Sequence, residues 1–289
     1  MGVLLQKLFQ KNQLKTLNSL ILLSLLISCT TIVQPYVDCQ FPSHSPFPGG
    51  VVNIKVKSSD INYQAEDTEI DSQLLCKESL TEWRIIKPIP LFSEKKTIRI
   101  KINQNVYQDI SITKKEYRVS KIQITNNEYI TPSMTNVIRA SKERAIMEKA
   151  IRYNSDLHFF SNLEMKLPVN GLISSEFGVK RFINDNLRNP HLGTDIPADI
   201  GTLIKAPLAG KIILVGDFFY RGRVIFIDHG KGLISSYSHL NDVYVKKDQE
   251  IISGTVLGEV GKTGRVTGPH LHWQIYLKGI SVDPEIFLP

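Results

Sequence analysis

The sequence predicts a mainly β protein: a small N-terminal β module, a connecting helix, and a larger antiparallel β-rich C-terminal domain. Three observations carry that prediction. The runs VVNIKVK (51–57), KTIRIKI (96–102) and YQDISIT (107–113) alternate apolar and polar residues with the period of two that a half-buried strand needs. The stretch 131–156 changes to Ala, Glu, Lys, Arg and Met, with Val137, Ile138, Ile146 and Ile151 at roughly helical spacing. From Gly171 onward glycine punctuates short strands, KIILVGDFF, RVIFIDHG, LISSYSHL and HWQIYLKG, as tight antiparallel turns require. With 289 residues, 42% of them hydrophobic, the chain can bury two modest cores and is too apolar to be disordered throughout.

Taken in order, residues 1–28 read as an export signal. Lys7, Lys11 and Lys15 precede TLNSLILLSLLISC, whose apolar core of about a dozen residues has the length of a secretory segment and is short for a membrane span. Leu26-Ile27-Ser28-Cys29 is similar to a bacterial lipobox, where cleavage precedes a cysteine whose thiol carries diacylglycerol. An ordinary cleaved signal or an uncleaved anchor are the alternatives, and all three export the protein. The lipoprotein reading places it in the periplasm, held at the outer membrane because Thr30 rather than Asp follows the cysteine. In an oxidising compartment Cys39 and Cys76 form an even pair suited to a disulfide, although two free thiols also fit. Removing the leader with its three lysines takes the net charge from +7 to +4, a weak pointer to an anionic partner such as a cell-wall polymer. No like-charge block or aromatic-basic interleaving points to nucleic acid.

Residues 40–128 make the N-terminal β module, a small sandwich or sheet without clustered acid-base groups. Residues 131–168 supply the helix and a linker; Thr131 serves as N-cap with Pro132 behind it, and Phe159 and Phe160 pack between domains. Residues 169–289 form the C-terminal domain. Within it GEVGKTG invites a phosphate-loop reading, but position 256 is Val where that loop needs Gly, and no helical stretch follows.

The chemistry concentrates in the C-terminal domain, which holds five of the seven histidines: His191, His229, His239, His270 and His272. His270 and His272, two apart on a strand, project side by side from one face. His191 and Asp195, four apart, can aim an imidazole and a carboxylate at one locus whether the backbone is helical or extended. Together with one imidazole of the later pair they make a set of two nitrogens and one oxygen. Such a set suits a catalytic zinc that keeps its fourth position open, and the absence of cysteine from this domain argues against a structural finger. His229 in IDHGKG sits at an expected turn and supports the fold. His44 and His158 have no partners and are structural, while Arg188 and Asn189 could line a cleft.

These residues resemble the lysostaphin-type, LytM-domain zinc metallopeptidases that cut peptidoglycan cross-links. The likeness runs through SSEFGVKR, NPHLGTD, SYSHL, GKTGRVTGPHLHW and VDPEIFLP, and the upstream segment is similar to the module that accompanies this domain in Gram-negative members. The resemblance implies one zinc per chain on His191, Asp195 and His272. His239 and His270 then act on water and the scissile carbonyl in roles it leaves unassigned. It implies a substrate of peptidoglycan peptide cross-links or stem peptides. A second class of function, a non-catalytic LytM regulator that activates amidases, loses metal ligands, and none is lost here. A zinc-binding wall adhesin would leave His239 and His270 without a purpose. The two-domain layout further suggests that the N-terminal module covers the cleft and restrains it.

Overall fold

The first sheet shows why its strands are more apolar than simple alternation requires. Strands β1 (Val51–Lys57), β2 (Leu74–Lys77) and β3 (Glu82–Pro88) form an antiparallel sheet in the order β1-β3-β2. At the start of β1 three consecutive residues are buried, because the strand lies between two cores. Val52 packs with Ile85, Ile89 and Ile100 inside the module, whereas Val51 turns to the larger core shared with the C-terminal half. Asn53, two residues after Val51, ties the chain entry, its side-chain amide donating to Cys39 O at 3.0 Å and Pro42 O at 2.8 Å. A disulfide links Cys39 to Cys76, with Cα atoms 6.3 Å apart, a normal span for a bridge. Strands β4 (Thr97–Lys101) and β5 (Tyr107–Ser111) complete the module as a separate hairpin. This computed structural model describes residues 36–61, 71–123, 127–156 and 162–289. Cys29, His158, Phe159 and Phe160 therefore lie outside the described residues.

Strand β6 (Val119–Ile122) follows the module in sequence but pairs in parallel with β7 (Lys180–Ile183), to which β8 (Asn186–Leu187) returns. Helix α1 (Asn127–Ile130) is a single turn. Helix α2 (Met134–Ile151) starts later than the expected Thr131. Ser133 is the N-cap, its Oγ accepting from Asn136 N at 3.3 Å, so Thr131 and Pro132 precede the helix. Of the four apolar residues at helical spacing, Val137, Ile138 and Ile146 are about half exposed and Ile151 packs against the core beside the buried Ala150, while the same helix also buries Glu143. Docking there is partly polar, with the Glu143 carboxylate accepting from Arg139 Nε at 2.6 Å and from the backbone N–H of Phe219 at 2.8 Å.

The C-terminal half is built on a nine-stranded antiparallel sheet. Its members are β9 (Thr194–Pro197), β10 (Leu203–Lys205), β11 (Gly210–Phe218), β12 (Gly222–Gly230), β13 (Leu233–Val243), β14 (Glu250–Ile251), β15 (Val256–Val260), β16 (His270–Leu277) and β17 (Ile280–Val282). The path β10-β15-β13-β12-β11-β14 carries a branch in which β16 pairs with β13, β17 and β9. Strands β12 and β13 are buried almost throughout, since both sheet faces are covered. One face contributes Ile225, Ile227, Tyr237 and Trp273 to the main core. The other packs Val224, Phe226 and Ile234 against Ala150 of α2. His229 lies inside β12 rather than at the expected turn, fully buried, with Nδ1 donating to Ala209 O at 2.7 Å and Nε2 paired with Ser235 Oγ at 2.7 Å. Its supporting role stands.

Candidate active site

Strand pairing brings the predicted residues together. In the β9–β16 ladder Asp195 lies directly opposite His272, so their side chains leave the same face. His191 enters from the segment just before β9. It can approach because residue 193 is glycine: a Cβ there would lie 2.5 Å from Trp273 O and 2.9 Å from His272 Cε1. The result is a tight triangle. Asp195 Oδ1 is 2.9 Å from His191 Nε2 and 2.7 Å from His272 Nδ1, and the two nitrogens are 2.9 Å apart. His270, two residues earlier on β16, turns Nε2 to within 3.7 Å of the same carboxylate oxygen.

His239 arrives by a different device. Its neighbour Ser238 is the residue opposite His272, so strict alternation would send His239 to the far face. A β-bulge prevents that: the β12–β13 register slips between Arg223 and Ile225, leaving Ser238 and His239 together against one residue. His239 takes φ +70°, unusual for a non-glycine residue, and its ring turns back to lie 4.9 Å from that of His270 and 6.0 Å from that of His272. The bulge is braced by its backbone N–H on Arg221 O at 2.9 Å and by Nδ1–H on Thr263 O at 2.8 Å. Thr263 belongs to the GKTG loop, which lies tight against Gly222, where a Cβ would fall 2.4 Å from the Thr263 backbone. That loop is thus a support for an imidazole, consistent with its rejection as a phosphate loop.

The hydrogen bonds around the ring fix the tautomers. His191 Nδ1 faces Glu176 O at 3.0 Å and Ser175 Oγ at 3.0 Å, and His270 Nδ1 faces Gly268 O at 2.9 Å. Donation from Nδ1 leaves each Nε2 lone pair aimed inward. Burial pushes the His272 pKa down to about 4 and holds that of His239 well below the usual histidine value, so both are neutral near pH 7. Burial alone would raise the pKa of Asp195, but its close contact with the His191 and His272 imidazoles holds it well below the usual carboxylate value and keeps it ionised. Arg181 Nη2 clamps the other carboxylate oxygen, Asp195 Oδ2, at 2.7 Å. The triangle could hold a metal ion. Zinc bonds of about 2.0–2.2 Å set tetrahedral donors roughly 3.3 Å apart, so the trio needs to open by only about 0.5 Å. Two imidazoles and one carboxylate without thiolate are also the donor chemistry of a catalytic zinc.

The site lies in a cleft of about 1010 Å³, and Arg188 and Asn189 do line it. Comparison with known proteins agrees with this arrangement. The model of Peptidase family M23 matches residues 189–284, which contain all five site residues. A solved structure described as a peptidase M23 from Pseudomonas aeruginosa superposes with a TM-score of 0.66 at 33% identity, covering 84% of this chain and 95% of that one. The chain belongs to peptidase family M23. Among curated relatives of this M23 chain, the peptidoglycan DD-endopeptidase ShyA of Vibrio cholerae is 38% identical over 112 residues, covering 38% of this chain and 26% of ShyA. The DD-carboxypeptidase/endopeptidase Mpg of Neisseria meningitidis is 35% identical over 118 residues, covering 40% of this chain and 27% of Mpg. The chain spans about a quarter of the length of these curated relatives.

Several contributors to the M23 site carried no signal of their own in the sequence. Arg181 reaches Asp195 from β7, Ser175 and the Glu176 carbonyl meet His191, and the Thr263 carbonyl orients His239. The motifs contain these residues or adjoin them, but a backbone carbonyl has no sequence identity to read. An isolated arginine is equally at home on a solvated surface.

Proposed function

We propose that this chain is a zinc-dependent peptidoglycan endopeptidase that hydrolyses peptide cross-links or stem peptides of the bacterial cell wall. In this reading His191, Asp195 and His272 hold one zinc ion. When bound, zinc supplies Lewis acidity at this point, polarising a carbonyl and lowering the pKa of water. His239, kept neutral by burial and oriented through Nδ1–H on Thr263 O, accepts a proton at Nε2. His270 presents Nε2 to the same space, so that once this nitrogen carries a proton it can hydrogen-bond a developing oxyanion or pass that proton to the leaving amine. Arg181 holds Asp195 in orientation through its outer oxygen. The observation that carries the reading is the re-aimed His239. A bulge with a positive φ turns a third imidazole toward a metal-ready triangle, which neither a packed core nor a purely structural zinc site calls for.

The same reading places the protein outside the cytoplasm, with residues 1–28 as export signal and Cys29 as a lipid attachment point at the outer membrane. It also has the N-terminal module restrain access. Leu91 and Phe92 after β3, Tyr117, and Ile122 of β6 join the lining of the cleft, which supports that role. A regulator without turnover is disfavoured, because all five site positions keep ligating or proton-transferring side chains.

The test is digestion of purified, cross-linked peptidoglycan by the zinc-loaded chain, with products read by mass spectrometry. New free amines and monomeric muropeptides are expected. His239→Ala should retain one zinc per chain and lose about 10²–10⁴-fold in rate, the usual scale for a general acid-base group. His272→Ala should lose the zinc itself. Intact peptidoglycan after treatment with zinc-loaded protein would count against the enzyme reading.

A further inference from the structure

Two guanidinium groups in the cleft wall have neither a counter-charge nor a hydrogen-bond acceptor among the described residues. Arg265 leaves the loop between β15 and β16 with its backbone N–H on Tyr220 O at 2.9 Å. Its guanidinium lies over the Tyr220 ring, with Cζ 4.6 Å from the centroid. Arg188 follows β8, its backbone N–H on Arg181 O at 2.9 Å. Among the described residues, no carboxylate lies within ion-pair reach of either side chain, and neither side chain donates a hydrogen bond. Elsewhere Arg181 pairs with Asp195, Arg118 with Glu176, Arg84 with Glu78 and Arg139 with Glu143, and Arg221, also in the cleft wall, donates to Ser238 Oγ and Tyr276 Oη.

Arg265 and Arg188 are both exposed to the cleft; the desolvation that Arg265 does suffer, together with the charges of Arg188 and Arg181, lowers its pKa, so three guanidinium groups gather in one wall of the cleft. The one acid among the described lining residues, Asp195, is already taken by Arg181 and the two imidazoles. The Tyr220 ring covers one side of the Arg265 guanidinium, and none of its N–H donors is engaged by a described residue. That planar fork matches a carboxylate in bidentate fashion, which a lysine cannot do. Arg265 lines the same cleft as His270 and His272, and its backbone N–H is held by Tyr220 O, next to the Arg221 O that holds the His239 N–H, so a group bound there faces the same cleft as the three imidazoles.

We propose that Arg265, assisted by Arg188, forms a carboxylate subsite that selects peptides bearing a free carboxylate next to the scissile bond. The proposal deepens the endopeptidase reading and rests on it for the bond cut, but not for the binding itself. The carboxylate can come from the end of the peptide or from a side branch within it, and the two sources are distinguishable.

The test is calorimetric binding to the full-length chain in EDTA, without turnover. The probes are a synthetic stem tetrapeptide with free carboxylates and the same peptide amidated at its terminus, at its side-branch carboxylate, or at both. Full amidation is expected to weaken binding about 10- to 100-fold, the range of a charge-assisted bidentate contact. Whichever single amidation reproduces most of that loss identifies the source. Arg265→Gln should bring the ratio of acid to amide affinity close to one, Arg265→Lys should leave an intermediate ratio, and Arg188→Gln should reduce it less. Equal wild-type affinity for the acid and the double amide would overturn the subsite, as would no binding of any form or an Arg265→Gln variant that keeps the preference. If Arg265→Gln melts early, Arg265→Lys and Arg188→Gln decide by the same ratio. Zinc-loaded digestion of peptidoglycan then reports separately. Acid-selective binding through Arg265 without any cleavage would keep the subsite and remove the endopeptidase reading.

Discussion

Lowering the pH from 7 to 5 should cost this fold about 2 kcal/mol through one buried imidazole. His229 is fully buried in β12, bonded on both ring nitrogens, and burial brings its pKa from 6.5 down to about 4. In the unfolded chain the ring titrates near 6.5, so above that pH both states are neutral and the group contributes no pH dependence. Between pH 6.5 and 4 the unfolded state binds a proton that the folded state refuses. Stability therefore falls as the pH falls through this window. With pKa values of 6.5 and about 4, the difference between pH 7 and 5 is about 2 kcal/mol, reaching about 3 kcal/mol by pH 4. His239 and His272 are also depressed and add losses of the same sign, so the wild-type slope alone cannot isolate His229. His229→Gln can. An amide donates to Ala209 O and accepts from Ser235 Oγ but does not titrate, so whatever it costs in packing is the same at both pH values. Urea unfolding of zinc-free protein at pH 7 and pH 5 should show the variant losing about 2 kcal/mol less than wild type. Parallel losses in the two proteins would refute the claim that burial keeps this ring neutral.

Two further outcomes follow from contacts of the N-terminal module. The bridge between Cys39 and Cys76 closes 37 residues of chain, so the Cys39→Ala/Cys76→Ala variant should be less stable by about 4 kcal/mol on loop entropy, read from urea midpoints. Phe92 is 73% exposed, so against its surroundings at the cleft rim it hides only about 50 Å², worth roughly 1 kcal/mol. Phe92→Ser should accordingly raise kcat/KM on cross-linked peptidoglycan about fivefold, and an unchanged value would remove the idea that the module restrains access.

What the sequence disclosed, and what it concealed, follows the range of the forces involved. Strand periodicity is local, so VVNIKVK and KIILVGDFF coincide with β1 and β11 to within a residue. The ligand motif is nearly local too, since Asp195 and His272 each sit on a strand whose face alternation is fixed. Helix α2 is legible as a helix, but the spacing of Val137, Ile138 and Ile146 does not mark its buried face, since those three are about half exposed. Its docking combines Met147, Ala150 and Ile151 with the Glu143 carboxylate on the Phe219 N–H, a contact that hydrophobic spacing does not encode. The parallel pairing of β6 with β7 joins segments some 60 residues apart, and no local pattern specifies such a partner. His239 was found as part of a motif. Its geometry was not legible, because a two-residue bulge leaves no trace in a run as regular as LISSYSHL.

That bulge is where fold and function meet. A positive φ at a non-glycine residue costs about 1–2 kcal/mol, and a β13 of regular alternation would avoid it by turning His239 away from His270 and His272. The surrounding structure is built to hold the strained form instead. The Arg221 carbonyl takes the backbone N–H, the Thr263 carbonyl takes Nδ1–H, and Gly222 lets the Thr263 loop close over the bend. Tyr220, beside Arg221, is gripped in turn by the Arg265 backbone N–H, while Glu143 of α2 holds the Phe219 N–H one residue earlier. The β11–β12 turn is thus fixed from the helix on one side and from the Arg265 loop on the other. Orientation of His239 and presentation of Arg265 depend on the same turn. A change that loosens it, such as loss of the Glu143 carboxylate, should therefore disturb proton transfer and carboxylate binding together, although Glu143 touches neither group.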